Sequence, residues 1–271
     1  MRDNTSKALM RQCYALGCRY FIFGLLSSGR PGQMMLRQIE IKELVKNIPF
    51  LKAMNAGSPS SEQWRWIMEE RDRELYHKDD DSIEPHDTPI WPAGKSEGVR
   101  HYMPHHIYIK PDNTKVPLHG LVLLDDLTRY QVDRLISHVH RLAVLVETSP
   151  DNFQAWIKFP VQLDTAERTS IAAFMAWHYG GDMGCAHGTH SGRAAGFTNC
   201  KPKYLDRGCS AGFFPFVVCH YRETTGEAIR PDIAARIRAA AARESKALIA
   251  AHRARQRAKQ NTTKGDVHGQ T

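Results

Sequence analysis

Apolar and polar positions alternate along the first half of the chain with the spacing of short helices and strands. Residues 5–16 have the three-to-four-residue apolar spacing of an amphipathic helix. The apolar runs at 19–26 and 33–38 flank a Ser/Gly/Pro-rich turn, which predicts a β-hairpin. Residues 39–48 then predict a helix that ends at Pro49, because proline removes a helical hydrogen bond.

The second half of the chain shows the same kind of pattern with clearer boundaries. Strands are predicted at 105–111, 118–126, 142–149, 153–160 and 213–221, and helices at 129–140, 165–180 and 228–260. Thr128 is suited to cap the first of these helices, and a glycine-rich loop spans 180–202. Strict strand–helix alternation is absent, so the pattern predicts an α+β fold with mostly antiparallel pairing.

Composition divides the chain into a main domain, a surface insertion and a basic C-terminal segment. The main domain is predicted to span 1–227. Within it, residues 57–104 carry six Lys/Arg against eleven acids and are expected to form a surface insertion. Residues 228–260 carry nine Lys/Arg against two acids and predict one basic helix or a helical pair. Residues 261–271 are polar and are expected to be disordered.

Charge and cysteine content narrow the class of protein. The net charge of +8 favours a polyanionic partner such as nucleic acid, although a solvated helix face without a partner explains the same charges. No apolar run is long enough to cross a membrane, and the N-terminus lacks the apolar core of a secretory signal. The six cysteines form no CxxC pair. A cytoplasmic location with reduced thiols is therefore expected.

Two adjacent carboxylates, Asp125 and Asp126, follow an apolar run at the end of a predicted strand. Like charges repel each other, and burial raises the cost of ionising each one. A divalent cation such as Mg²⁺ or Mn²⁺ would remove that penalty. Asp182, which opens the glycine-rich loop, would supply a third carboxylate if the fold brings it close. The alternative is that one carboxylate of the pair caps the next helix while the other faces solvent.

Several motifs follow one another in a distinctive order along the chain. They are GLVLLDDL, LVETSPDNFQAWIKF, YGGD and GTHSGRAAGFTNCKP. In this order they resemble the RepB-type DNA primases of mobilisable plasmids and related mobile elements, a branch of the archaeo-eukaryotic primase superfamily. The resemblance runs from about residue 7 to residue 221, with the insertion as a gap.

This resemblance implies a primase-like catalytic core with an RRM-like sheet. It also implies metal-dependent primer synthesis on a single-stranded DNA template from nucleoside triphosphates. The implied catalytic and metal-binding residues are Asp125, Asp126 and Asp182, with Mg²⁺ or Mn²⁺ as the cofactor. The implied triphosphate contacts are Gln154, Lys158, Arg193, Asn199 and Lys201. The basic helix is expected to contact DNA through Arg253, Arg255 and Arg257, and replication proteins are possible further partners.

Some residues depart from the usual family pattern. Asp151 stands where the turn usually has glycine, which matters if that position needs a positive φ. Cys200 stands where arginine is common, so one phosphate contact is expected to be absent. Gln154 stands where the wider superfamily usually has histidine, and it can hydrogen-bond a phosphate without carrying a charge.

Two weaker signals have ordinary structural explanations. Cys185, His187 and His190 form a possible zinc set, but no fourth ligand is evident in the sequence. Tryptophans in the insertion could stack on unpaired bases. Packing of the insertion onto the main domain is the favoured explanation, because the segment is net acidic and would repel a phosphate backbone. These residues are Trp64, Trp66 and Trp91.

Two other functions stay open on the sequence. A non-catalytic, primase-like module would hold single-stranded DNA or a replication protein without synthesis. A metal-dependent nuclease would use the same acids and degrade DNA without a triphosphate. The set of basic and amide residues around a triphosphate cleft makes the nuclease the weaker of the two.

Overall fold

A computed structural model defines the fold and describes residues 4–27, 34–56, 105–201 and 216–267. The predicted insertion at 57–104 lies outside these residues, and so do its three tryptophans. Within the described ranges, no helix has the length and apolar character needed to cross a membrane.

One four-stranded antiparallel sheet lies in the N-terminal half of the fold. Its strands are β1 (Tyr20–Ser27), β2 (Met34–Glu40), β3 (His105–Pro111) and β7 (Gly192–Arg193). They are arranged in the order β2-β1-β3-β7. Pairing of β1 with β2 confirms the predicted hairpin. The helices α1 (Asn4–Leu16) and α2 (Leu44–Ala56) contribute to the apolar core on this side.

A second four-stranded antiparallel sheet carries most of the candidate site. Its strands are β4 (His119–Leu127), β5 (Val144–Ser149), β6 (Asn152–Leu163) and β8 (Val218–Cys219), in the order β4-β6-β5-β8. The helices α3 (Arg129–Val139) and α4 (Thr165–Tyr179) pack on the face opposite the first sheet. In the described part, β8 is shorter than the predicted strand 213–221.

Burial on both faces explains the uninterrupted apolar run of β4. Leu121 and Leu123 belong to the core shared with the first sheet, whereas Val122 and Leu124 belong to the core under the helices. A strand buried on both faces needs apolar residues at every position, so it shows no alternation in sequence. The apolar part of β4 therefore lies between the two cores, and its polar end, Asp125 and Asp126, lies where this burial ends.

Local capping fixes the helices that flank the site. Thr128 accepts a hydrogen bond from the N–H of Gln131, whose side chain accepts one from the N–H of Thr128 in return. This capping box confirms the cap predicted at Thr128. Helix α4 ends at Gly180, whose positive φ of 81° suits glycine.

The prediction that Pro49 ends a helix is wrong. Residues 41–43 form a 3₁₀ turn, and α2 runs from Leu44 to Ala56 with Pro49 inside it. Proline inside a helix costs about 3 kcal/mol. Five apolar side chains of α2 are buried, and each contributes about 1.5–3 kcal/mol, so their burial outweighs that cost. They are Leu44, Ile48, Phe50, Leu51 and Met54.

The C-terminal segment is one continuous helix, α5 (Pro231–Val267). It therefore extends seven residues into the segment that was expected to be disordered. Its first turns bury Ile233, Ala234 and Ala241 against the core under α4, and Arg238 pairs with Glu167 of α4 at 2.7 Å. From residue 253 to residue 260 the side chains are exposed. The division of the chain into domains stays a prediction.

Candidate active site

The end of β4 carries Asp125 and Asp126 on a β-bulge. Pairing with β6 shifts between Leu124 and Leu127, where β4 has one residue more than its partner. Asp126 takes a positive φ of 55° at this point. A bulge re-aims side chains that would otherwise alternate across the sheet. Both carboxylates consequently hydrogen-bond to side chains of β6 that lie only two residues apart.

Asp125 is half-buried and held in place by several donors. Its Oδ1 accepts hydrogen bonds from Gln154 Nε2 and from the Asp126 N–H, both at 2.8 Å. Its Oδ2 lies 3.6 Å from Nε2 of His190. Burial opposes ionisation of this carboxyl, but the hydrogen bonds from His190, Gln154 and Asp126 outweigh burial and lower the pKa. Asp125 is therefore a carboxylate at neutral pH, available to a cation.

Asp182 is joined to the end of β4 through the backbone. Its N–H donates to the Asp125 carbonyl oxygen at 2.9 Å, and its Oδ1 accepts from the Gly184 N–H at 2.7 Å. A Cβ on Gly181 would lie 2.9 Å from the same carbonyl oxygen, so this close approach requires glycine. The fold thus brings Asp182 beside Asp125, although their catalytic roles stay predictions.

Asp126 is exposed and directed toward the β5–β6 turn. Its Oδ1 accepts a hydrogen bond from Asn152 Nδ2 at 2.9 Å. Asp126 therefore adds negative charge at the same strand end without sharing the contacts of Asp125.

A group of three possible metal ligands forms around Asp125. A carboxylate oxygen of Asp125, the Cys185 thiol and a ring nitrogen of His190 all lie within 4.8 Å of one another. Burial and the neighbouring carboxylates of Asp182 and Asp125 raise the pKa of the Cys185 thiol. The sequence singled out Cys185 and His190 together with His187. In the structure Asp125 takes the place of His187, which instead contacts Thr189.

Gln154 connects Asp125 to the first sheet. Its Nε2 donates to Asp125 Oδ1, and its Oε1 accepts from the Arg193 N–H at 2.6 Å. The side chain is only 4% exposed. Both ends of the amide are therefore used inside the protein, which suits a residue that positions Asp125. Its contact with a triphosphate stays a prediction.

Two of the predicted triphosphate contacts, Arg193 and Lys201, form one positive region next to His106 and Tyr108 of β3. The Arg193 guanidinium lies 4.4 Å from the centre of the Tyr108 ring. Burial, together with the charges of Arg193 and Lys201, lowers the pKa of His106 to about 3. An open pocket of about 330 Å³ adjoins this region and is lined by Met34, Tyr108, His187, Thr189, His190 and Ser191.

Two other predicted triphosphate contacts are engaged elsewhere. Asn199 is buried, and its Nδ2 donates to the Thr148 carbonyl oxygen at 2.8 Å. Lys158 lies four residues beyond Gln154 on β6, a separation of about 13 Å at the usual strand rise. Its Nζ lies 3.4 Å from the Gly226 carbonyl oxygen. The structure does not bring Lys158 to the acidic cluster, which comprises Asp125, Asp126 and Asp182.

The three arginines predicted to bind DNA divide between two faces of α5. Residues four apart share a helix face, so Arg253 and Arg257 lie together and Arg255 lies on the opposite side. The Arg255 guanidinium lies 4.6 Å from the centre of the Trp177 ring on α4. All three side chains are exposed, but among them Arg255 also packs on α4.

Two buried residues support the site, and sequence reasoning missed both of them. Arg168 is fully buried and donates to the carbonyl oxygens of Gly188 and Leu163, which holds the loop carrying Asp182. Gln12 is also fully buried and bonds to β7 through the Arg193 carbonyl oxygen at 2.9 Å. A polar residue on an otherwise apolar helix face was the available signal for both.

A model of the RepB DNA-primase N-terminal domain family matches residues 95–244. The chain belongs to this family. The matched range covers more than half of the 271 residues and includes the whole acidic cluster. The resemblance inferred from the order of the motifs is thereby confirmed.

Individual relatives agree with this assignment. Mobilization protein A of Escherichia coli is 32% identical over 225 residues, covering 83% of this chain and 24% of that protein. The chain thus spans about a quarter of the length of that relative. The crystal structure of primase RepB′ matches with a TM-score of 0.61 and 26% identity, over 96% of this chain and 68% of that chain.

A second solved structure is the catalytic domain of primase RepB′ in complex with initiator DNA. It matches with a TM-score of 0.59 and 28% identity, over 99% of this chain and 100% of that chain. Together these likenesses confirm the predicted fold class, an α+β primase-like core followed by a C-terminal helix.

Proposed function

We propose that this domain is a DNA primase of a plasmid or other mobile element that makes short primers on single-stranded DNA. The observation that carries the proposal is the hydrogen bond from the Asp182 N–H to the Asp125 carbonyl oxygen. It joins the backbone of a third acidic residue to the strand end that carries the acidic pair, which supports a shared site for the three carboxylates. Family membership and likeness to primase RepB′ support the same activity.

The acidic cluster would hold the divalent ion that such a reaction needs. Asp125, Asp126 and Asp182 would supply oxygen ligands, which Mg²⁺ and Mn²⁺ prefer. When bound, the metal supplies activation of the attacking 3′-hydroxyl and neutralises charge on the leaving pyrophosphate. Gln154 keeps the Asp125 carboxylate in place, and Asn152 does the same for Asp126.

The positive region formed by Arg193 and Lys201 would receive the nucleoside triphosphate. Arg193 is fixed against the ring of Tyr108 and by the strand pairing of β7. Lys201 is exposed and lies close enough to His106 to affect its pKa. These two cations would match the negative charge of a triphosphate bound next to them.

Primer synthesis from labelled nucleoside triphosphates on a single-stranded template with Mn²⁺ tests this proposal. Asp125→Ala and Asp182→Ala should each abolish detectable synthesis, because each removes a carboxylate from the cluster. Asp133→Ala removes an exposed carboxylate of α3 and should retain synthesis. Full synthesis by both site variants would refute the assignment. DNA degradation without triphosphates would indicate a nuclease, and DNA binding without synthesis would indicate a non-catalytic module.

Single-stranded DNA is the proposed template, and α5 is its proposed contact outside the cleft. Replacing Arg253 and Arg257 together by alanine should weaken binding and reduce the salt slope by about 1.4, since each phosphate contact contributes about 0.7. Arg255→Ala should have a smaller effect because its guanidinium packs on Trp177. The affinity and the salt slope of each variant are measured by titrating a labelled oligonucleotide at several salt concentrations. Equal effects of the double and single variants would contradict this division of α5.

A further inference from the structure

We propose that Asp125, Cys185 and His190 form a binding site for Zn²⁺ that is distinct in ligand chemistry from an all-oxygen magnesium site. The carboxylate, thiol and imidazole are the three donor types that zinc accepts in proteins. Mg²⁺, by contrast, prefers oxygen ligands and has little affinity for sulfur. The presence of a thiol in the group is what selects the softer ion.

The spacing of the three donors suits a tetrahedral ion. Ligand atoms placed 2.0–2.3 Å from zinc in tetrahedral geometry are about 3.3–3.8 Å apart. His190 Nε2 and Asp125 Oδ2 are already 3.6 Å apart. All three donors lie within 4.8 Å of one another, so closing the site needs a movement of about 1 Å. Small rotations of these half-buried side chains supply such a movement.

The loop that carries two of the donors is anchored on both sides of Cys185. The Asp182 N–H bonds to the end of β4 ahead of Cys185. Beyond Cys185, the Gly188 N–H donates to Thr169 Oγ1 at 2.9 Å, and the Gly188 carbonyl accepts from Arg168 at 3.0 Å. Because the backbone is already fixed, little conformational entropy is lost when an ion binds.

Charge and access also fit a zinc ion. Asp125 and a Cys185 thiolate would together neutralise its two positive charges, and the thiol proton would pass to solvent. Asp182 also contacts Cys185 and adds to the negative potential. His190 lines the open pocket of about 330 Å³, which leaves space for water as a fourth ligand.

Occupation of this site would remove Asp125 from the proposed catalytic ion. Zinc would then compete with Mg²⁺ or Mn²⁺ through one shared carboxylate. This consequence depends on the proposed function, whereas the binding site itself does not.

Cobalt substitution tests the site without measuring activity. Co²⁺ added to the metal-free chain should produce a near-ultraviolet thiolate-to-cobalt charge-transfer band, and Zn²⁺ should then abolish it by displacement. Cys185→Ser should lose the band, because serine offers no sulfur. His190→Ala should weaken Zn²⁺ binding at least tenfold by calorimetry, as expected when one of three ligands is removed.

Two control variants replace a histidine of the same loop and a half-buried cysteine elsewhere, neither of which belongs to the proposed site. His187→Ala and Cys18→Ser should both keep the band, since His187 contacts Thr189 and Cys18 lies next to β1. Far-ultraviolet circular dichroism checks the fold of each variant. Absence of the band in the unmodified chain, or a band that Cys185→Ser retains, would overturn the proposal. Unchanged zinc affinity in His190→Ala would do so as well.

Discussion

Gln154 and Lys158 lie on the same face of β6, two side-chain repeats apart, and their surroundings are different. Gln154 bonds to the Asp125 carboxylate and to the backbone of β7. Lys158 reaches the Gly226 carbonyl oxygen, and its own carbonyl accepts from the Ile229 N–H at 2.8 Å. One end of the strand builds the acidic cluster, and the other anchors the segment that leads into α5.

The contrast shows what strand alternation can and cannot specify. Alternation assigns residues to a face, so a motif such as FQAWIKF correctly puts Gln154 and Lys158 on one side. It does not limit distance along the strand, which grows by about 3.3 Å for each residue. A site built at the end of β4 reaches only the adjacent end of β6.

Among substitutions that distinguish the two ends of β6, the largest effect on activity is expected at Gln154. Gln154→Ala should lower primer synthesis about 10- to 100-fold, because the Asp125 carboxylate loses the donor that orients it. The Mn²⁺ concentration needed for half-maximal synthesis should rise in the same variant, which a purely structural defect would not cause. Initial rates over a range of Mn²⁺ concentrations measure both quantities.

Lys158→Ala is the matched control on the same strand face. It removes a side chain of similar length about 13 Å away, estimated from the strand rise, so the Mn²⁺ dependence should stay as in the unmodified chain. If Lys158→Ala changed the Mn²⁺ dependence as strongly as Gln154→Ala, both ends of β6 would contribute to metal binding. The proposed difference between them would then be wrong.

Sequence reasoning succeeded where local rules decide the structure. The capping residue Thr128, the glycine stop after α4 and the hairpin of β1 with β2 follow from side-chain and turn chemistry within a few residues. The prediction for Pro49 failed because a local rule was applied without the burial that overrides it. The end of α5 was also misjudged, since polar composition does not exclude a helix.

The candidate site was only partly predictable for a related reason. The motifs identified Asp125 and Asp182, and the structure brings them together. They could not indicate that a β-bulge aims Asp125 toward Gln154 and His190, because that contact depends on the register of β4 against β6. For Arg168 the sequence offered one signal, a polar residue on an otherwise apolar helix face, but its partners lie in distant segments and could not be read from it.

The next largest effect is a pH dependence of stability, expected at the C-terminal end of β6, away from the acidic cluster. His119 pairs with Leu163 across β4 and β6, and burial beside Arg168 lowers its pKa to about 4. The unfolded chain takes up this proton near pH 6.5, whereas the folded chain does so only near pH 4. Stability should therefore fall as the pH drops through this window, by up to about 1.4 kcal/mol per pH unit.

Urea unfolding at pH 7.5, 6 and 5 measures this contribution when His119→Gln is compared with the unmodified chain. Glutamine can keep a hydrogen bond to Asn113 but cannot take up a proton. The variant should thus lose less stability between pH 7.5 and pH 5, by about 2 kcal/mol at most. His106 remains in both proteins and adds a fall of the same sign. Parallel pH profiles for the two proteins would show that His119 is not responsible.

The smallest effect is expected at Asp151, in the turn that begins β6 at the site end. Its φ is 56°, and its Oδ1 accepts a hydrogen bond from the Arg129 N–H at 3.0 Å. Asp151→Ala loses this bond and keeps a Cβ in a left-handed conformation, so the free energy of unfolding should fall by about 1–2 kcal/mol. Asp151→Gly loses the same bond but removes the strain, so its loss should be smaller. Urea unfolding of both variants measures the difference, and equal losses would mean that the bond to α3 matters and the left-handed backbone does not.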